Sequence, residues 1–179
     1  LEKGRYFIFF VLEELERYNL PPELALLPYI ESNYDPFSIS ASGAMGIWQF
    51  MPATARIYGL KDTWWYEQRH DPLVSSKAAV RYLAYLHNRF NKELSYTLAA
   101  YNGGPTLLEK QIKINKKAGK STEYVNLKLP KQTQEYVPKF KAVFELVRNA
   151  EKYGIDLPNF PNQQVLGRIE LEGQVEIMA

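Results

Sequence analysis

In the segment "ELALLPYIESNYDP", residues 23–36, a glutamate stands where the helical period asks for an apolar side chain. At about 100° per residue, Leu24, Leu27, Glu31 and Tyr34 follow one another around one face of a helix. A carboxylate on that stripe has two physical readings. Either Glu31 is a structural acid held in an ion pair, or it lies beside a cleft in a dry setting that raises its pKa and keeps it protonated for use as a general acid. This segment alone leaves both open, because ion-pair networks also place acids at such positions.

Three other clusters carry residues that packing does not demand. In "GAMGIWQFMPATA", residues 43–55, Gly43 and Gly46 allow close backbone approach, and Gln49 brings two donors and an acceptor beside Trp48. Trp48 suits a ring that stacks on a sugar, and it suits a core position equally well. In "LAAYNGGP", residues 98–105, a helix ends on Tyr101 and Asn102 ahead of a glycine pair, and the common use of asparagine there is to cap a turn. In "PKQTQEYVPKF", residues 130–140, Tyr136 stands one helical turn beyond Gln132, by default as a core residue of an amphipathic helix.

The elements that must position these groups read as helices. A first helix is expected over 2–18, ending before Leu20-Pro21-Pro22. A second begins at Pro22, carries Glu31 and ends near Asp35-Pro36. Residues 37–46, rich in serine and glycine, read as a loop, and a short helix is expected over 47–58. Asp71-Pro72 has the form of a helix start, with an amphipathic stretch over 72–91 and Val80, Leu83, Ala84 and Leu86 toward a core. Helices at 94–101, 105–117 and 133–153 follow, the last closed by Gly154. Before residue 160 almost nothing alternates as a strand would, so the fold class is all-α or nearly so. The tail "RIELEGQVEIMA" does alternate, which suits a short hairpin around Gly173 or an extended tether. The prolines of "LPNFPNQ" put the boundary near 157–163, giving one domain over 1–157 and a linker or hairpin over 158–179.

Composition narrows the function. With 46% hydrophobic and 14% aromatic residues the 179-residue chain is globular in class, and a net charge of +2 is too balanced to argue for a nucleic-acid partner. The locally basic "KQIKINKKAGK", residues 110–120, reads as a solvated helix face. The absence of cysteine excludes thiolate metal sites and thiol nucleophiles, and two histidines, His70 and His87, make a histidine-based zinc site an unlikely design. No run approaches the roughly 20 apolar residues of a membrane-spanning helix. "YFIFFVL", residues 6–12, runs straight into "EELER" without a cleavage site and reads as a buried helix, so any targeting segment is expected to have been removed ahead of Leu1.

Taken in order and spacing, "ESNYDP", "ASGAMGIWQFMPATA", "AAYNGG" and "QTQEYVPKF" resemble the motifs of the lytic transglycosylases of the goose-lysozyme superfamily. The resemblance covers roughly residues 20–155 and is closest to the family's membrane-bound type-D branch. It implies a lysozyme-like α-helical domain whose groove binds the alternating N-acetylglucosamine and N-acetylmuramic acid strand of peptidoglycan. Glu31 matches the family's single catalytic acid and Tyr136 the tyrosine that positions it. Ser32, Ser40, Gly46, Gln49 and Met51 match positions lining the groove around the muramic sugar, Trp48 stands where many members have methionine, and Tyr101 and Asn102 match a sugar-binding pair. Gln132 departs from the family, which commonly has glutamate there, and loses a charge while keeping hydrogen bonds.

The implied chemistry needs one acid and no metal or organic cofactor. Glu31 protonates the glycosidic oxygen, the substrate's own N-acetyl group stabilises the cationic centre, and Glu31 then takes the proton of the muramic 6-hydroxyl as a 1,6-anhydro ring closes. Ordinary glycosidases add a second carboxylate, for which the motifs offer no candidate, and Asp35, next to Pro36, reads as a helix-ending turn. Two alternatives stand beside this reading: a hydrolytic muramidase, and a peptidoglycan-binding domain of weak activity. The resemblance further implies a place in the bacterial periplasm or at the outer membrane, with peptidoglycan-binding repeats flanking the domain, and a monomer is expected.

Overall fold

A computed structural model describes residues 2–159 and 163–166. Among the described residues seven α-helices carry the fold: α1 (Ile8–Arg17), α2 (Leu27–Ser32), α3 (Pro52–Ile57), α4 (Pro72–Arg89), α5 (Leu94–Gly103), α6 (Pro105–Lys117) and α7 (Lys131–Arg148). Short 3-10 turns lie between them at Pro22–Leu26, Gln68–His70 and Tyr124–Asn126, and flank them at Glu2–Tyr6 and Glu151–Tyr153. Among the described residues the only extended pairings are isolated bridges, Ile39 with Met45, Met45 with Phe50, and Asp62 with Glu67. The expected all-α class therefore holds for them. None of these helices is long and apolar enough to cross a membrane.

Helix α5 is the centre of the packing. Its Leu98, Ala99 and Ala100 are buried, and it lies against α4, α6 and α7, while α1 packs on α4 and on the Pro22–Leu26 turn. Small residues on α5 let the neighbours come close, to the point that a Cβ on Gly103 would meet Thr133 Oγ1 of α7 at 2.8 Å. Leu24, Leu27, Ile47, Leu83, Leu86, Leu108 and Phe140 close the core around it. The start of α4 forms as its sequence suggests: Asp71 Oδ1 accepts from the backbone N–H of Leu73 (2.9 Å) and Val74 (3.0 Å), and Pro72 occupies the first turn.

Several expected boundaries shift. The helix expected over 2–18 is a 3-10 turn followed by α1. The Glu31 helix is a 3-10 turn as far as Leu26 and α-helical only over Leu27–Ser32, and it stops early because Asn33 (φ 54°) and Tyr34 (φ 59°) are left-handed. The short helix expected over 47–58 is confined to Pro52–Ile57. Residues 45–50 form instead a tight bridged turn with Gly46 (φ 78°) and Gln49 (φ 50°) left-handed. Helix α7 begins two residues before the expected start and ends at Arg148; the Glu151–Tyr153 turn then leads to Gly154, left-handed at φ 63°. The hairpin expected over 168–179 lies outside the described residues.

Candidate active site

The stripe that raised the question of Glu31 is buried on every side but one. Leu24, Leu27 and Tyr34 have no exposed surface, and the Tyr34 hydroxyl is tied to the Ala25 carbonyl at 2.6 Å. Glu31, in the last turn of α2, is half-buried and makes no ion pair among the described residues. Its partner is Tyr136 of α7, whose hydroxyl donates to Glu31 Oε1. Burial raises the Glu31 pKa above the ordinary carboxyl range, while the Tyr136 hydrogen bond and the positive charge of Lys139 pull it partly back. Tyr136 itself is held well above the ordinary phenol range, chiefly by burial and then by the Glu31 charge, so it serves as a neutral donor.

The turn at 38–50 lies against this helix end. Ser32 Oγ donates to Pro28 O (3.1 Å) and to Ile47 O (3.0 Å), which ties the residue after Glu31 to the turn. Gln49 Nε2 donates to Ser38 O (3.2 Å) and Gly46 O (3.0 Å), folding the amide over its own turn. Ser40 Oγ accepts from Ala44 N at 2.9 Å and pairs with Ser42 Oγ at 3.0 Å, so it shapes the loop. Met51, at the start of α3, is exposed. Tyr101 of α5 donates to Trp48 O at 2.7 Å, joining α5 to the turn, and Asn102 Oδ1 accepts from Thr133 Oγ1 at 2.9 Å, joining it to α7. Glu31, Ser32, Gln49, Tyr101, Asn102 and Tyr136 thus belong to one connected set.

Three residues of the expected set stand elsewhere. Trp48 has no exposed surface and its indole N–H donates to Ser76 Oγ of α4 at 2.8 Å, so the ring is a core residue and the sugar-stacking expectation is corrected. Gly46 is buried with its Cα against the Arg69 carbonyl, where a Cβ would stand 1.8 Å from the oxygen; its part is backbone packing. Gln132 is exposed in the first turn of α7, one turn short of Tyr136. Asp35, the acid nearest Glu31 in sequence, pairs with Lys3 at 3.0 Å and accepts from Phe37 N at 3.0 Å, which holds its pKa below the ordinary range.

Sequence reasoning missed four supporting residues. Thr133, one turn before Tyr136, is buried between Asn102 and Gly103, and a threonine at that spacing on the core face was the available signal. Tyr124 donates to Thr133 O (2.5 Å) and Gln134 O (2.8 Å). Gln134 O is the carbonyl that Pro138, inside α7, leaves without its helical donor, so Tyr124 fills a vacancy made by a proline. Arg69, 5% exposed, binds Glu67 Oε2 at 2.6 Å and donates to the carbonyls of Gly43 (3.1 Å) and Phe50 (3.3 Å), fastening residues 67–69 to the 43–50 turn. Lys139 supplies the charge facing Glu31. A cavity of about 720 Å³ between α1 and α4, lined by Phe9, Phe10, Glu13, Asp71 and Lys77, does not include Glu31.

An acid with a raised pKa, steadied by a neutral phenol and flanked by amide groups on rigid turns, can give a proton to a bound oxygen and take one back. Comparison with known proteins gives the family. The family "Transglycosylase SLT domain" matches residues 10–124. The chain is 39% identical over 171 residues to membrane-bound lytic murein transglycosylase D of Escherichia coli K12, covering 96% of this chain and 38% of that protein. It is 32% identical over 136 residues to membrane-bound lytic murein transglycosylase F of Desulfosudis oleivorans, covering 73% of this chain and 26% of that one. The chain thus spans well under half the length of these curated relatives. Among solved structures, an inactive variant of lytic transglycosylase Slt from Pseudomonas aeruginosa superposes with a TM-score of 0.63 at 20% identity, over 82% of this chain and 24% of that one. The 70 kDa soluble lytic transglycosylase of Escherichia coli does so with a TM-score of 0.60 at 21% identity, over 76% and 24%. These likenesses show the lysozyme-like helical fold. With the family matched across most of its helical body and a relative aligned along nearly its whole length, the chain belongs to the SLT-domain family of lytic transglycosylases.

Proposed function

We propose that this chain is the catalytic domain of a peptidoglycan lytic transglycosylase, cleaving the β-1,4 bond between N-acetylmuramic acid and N-acetylglucosamine and leaving a 1,6-anhydro-N-acetylmuramic end. The observation that carries the proposal is the placement of half-buried Glu31 at the end of an apolar stripe with the Tyr136 hydroxyl donating to it, a setting whose burial raises the carboxyl pKa. A carboxyl in that setting keeps its proton more readily than an ordinary glutamate and can deliver it to the glycosidic oxygen. The substrate N-acetyl group then stabilises the electron-poor carbon, and the muramic 6-hydroxyl, already held next to it, attacks as Glu31 recovers a proton. Tyr136 steadies both protonation states. Asn102, with Oδ1 occupied by Thr133, offers its amide nitrogen to the sugar. Gln49 and Met51 border the same groove, Ser32, Ser40 and Tyr101 set its walls, and Gln132 meets the strand at its edge.

Two points support ring closure over hydrolysis: Asp35 is engaged by Lys3, and the relatives are named lytic murein transglycosylases. The relatives' membrane-bound names support a place in the bacterial cell envelope. On this reading the catalytic domain spans 1–157, residues 158–179 are a linker or short hairpin, and it works as a monomer. Mass spectrometry of muropeptides released from purified sacculi tests the proposal. Anhydro ends, lighter by one water than a lysozyme digest, are expected; reducing ends that accept borohydride would make the protein a hydrolase, and no release would make it a binding domain.

A further inference from the structure

Residues 61–68 form a hairpin outside the Glu31 site. Its backbone is closed on itself by Gln68 N donating to Lys61 O (3.0 Å) and Thr63 N to Tyr66 O (3.0 Å), with Asp62 and Glu67 bridged, and the Gln68 side chain adds Oε1 as acceptor for Lys61 N (2.7 Å). Tyr66 at its shoulder is pinned, its hydroxyl donating to Asp71 Oδ2 at 2.5 Å. Between these fixed points Trp64 and Trp65 are 86% and 90% exposed, the two most exposed large apolar side chains of the described chain. Their rings stand edge to face, centroids 6.2 Å apart at 89°, so each keeps a free face. A folded hairpin that holds two indoles in water, when a core position for tryptophan exists nearby at Trp48, marks an interaction surface.

We propose that the Trp64–Trp65 tip is a second sugar-binding platform, on which pyranose rings of the glycan strand stack outside the Glu31 groove. The inference rests on the function proposed above and adds a site to it. Continuity argues for this occupant. The base of the hairpin is bolted to the turn that flanks Glu31, through Arg69 to Gly43 O and Phe50 O, the close approach of Gly46 to the Arg69 carbonyl, and His70 Nδ1 to Pro36 O at 2.7 Å. The tip is therefore held in fixed relation to the groove that takes the polymer. Charge argues the same way. Lys61, Asp62, Glu67 and Arg69 cancel, leaving no basic field of the kind that draws aromatic loops to anionic lipid. The negative face of an indole and the weakly positive C–H face of a pyranose need none.

The three tryptophans provide the assay, since Trp48 is buried and acrylamide reaches chiefly the pair at the tip. In the Glu31→Gln protein, long soluble glycan strands freed of stem peptides should shield tryptophan fluorescence from acrylamide and shift it to the blue. Short fragments that fill only the groove should not. Trp64→Ala with Trp65→Ala should weaken strand binding about tenfold, as loss of stacked aromatics does elsewhere. On the Glu31 background the same double variant should still cleave short fragments at the normal rate and slow down on sacculi. Strand affinity unchanged in the double variant, or shielding by vesicles of phosphatidylglycerol and phosphatidylethanolamine in place of glycan, overturns the platform. Anhydro ends released normally with no shielding would sink the platform and leave the proposed function standing. No glycan binding and no cleavage would sink both.

Discussion

The Tyr136 hydroxyl reaches across 105 positions of sequence to donate to Glu31 Oε1, and this bond joins α7 to the end of α2 at the one polar point of an otherwise apolar stripe. It pulls the Glu31 pKa down against the upward push of burial. Tyr136→Phe removes the donor, so the Glu31 pKa rises further. A general acid works while protonated, and the limb of the kcat/KM profile where activity falls with rising pH should move to higher pH. Loss of a hydrogen bond to an ionisable group should lower kcat about 10- to 100-fold without changing the product. A pH profile with the limb unmoved would remove Tyr136 from this role.

Glu31→Gln separates chemistry from folding. The amide cannot donate and recover the proton, so turnover should drop by about 10³-fold or more. Because the folded pKa of Glu31 is raised, its carboxyl favours the folded state only below the ordinary carboxyl pKa, and that advantage is lost as pH rises through the folded value. The glutamine variant, which cannot ionise, should therefore melt higher than the parent at neutral pH. The gap should close as pH falls below the ordinary glutamate range. Equal melting temperatures at every pH would show that Glu31 is not strained by its surroundings.

Tyr124 and Pro138 should be energetically coupled. Tyr124→Phe leaves the Gln134 carbonyl without a donor, at a cost of about 1 kcal/mol, and lowers kcat by loosening the turn that carries Thr133 and Tyr136. In a Pro138→Ala background the helix supplies its own N–H to Gln134 O, and the same substitution should cost measurably less. A double-mutant cycle by urea unfolding checks this, and additive effects would contradict it.

Glu31 was marked within its own segment because it breaks an apolar period, whereas Tyr136 by its spacing reads as a core residue of an amphipathic helix, and only the family resemblance set it beside Glu31. The role of Trp48 was not. Glycine-flanked tryptophan fits a groove wall and a core alike, and the choice is made by Ser76, on a different helix, which takes the indole N–H. The 47–58 region failed for a related reason. Ile47, Trp48 and Phe50 supply apolar residues at spacings a helix tolerates, but Gln49 is left-handed and its amide donates to Gly46 O within the turn and to Ser38 O, a bond to another segment that no residue type here announces. The supporting role of Tyr124 depends likewise on a vacancy made fourteen positions later by Pro138.

Gly43 and Gly46 test whether the close approach of the hairpin base matters. Both are left-handed, at φ 83° and 78°, so alanine at either position carries a similar backbone strain, about 1–2 kcal/mol. They differ in what a side chain would meet. A Cβ on Gly43 has nothing within 4 Å, whereas one on Gly46 would stand 1.8 Å from the Arg69 carbonyl, a backbone atom that cannot swing aside. Gly43→Ala should therefore cost only its strain and leave turnover near normal. Gly46→Ala should cost about 3 kcal/mol or more, because the turn and the Arg69 segment must separate. That turn also carries Ile47 O and Trp48 O, the acceptors of Ser32 and Tyr101, so its displacement should lower kcat even under conditions where the variant stays folded. Thermal melts and turnover on sacculi, measured on both variants, check the contrast, and equal losses at the two positions would show that strain alone, with no close packing against Arg69, accounts for the glycines.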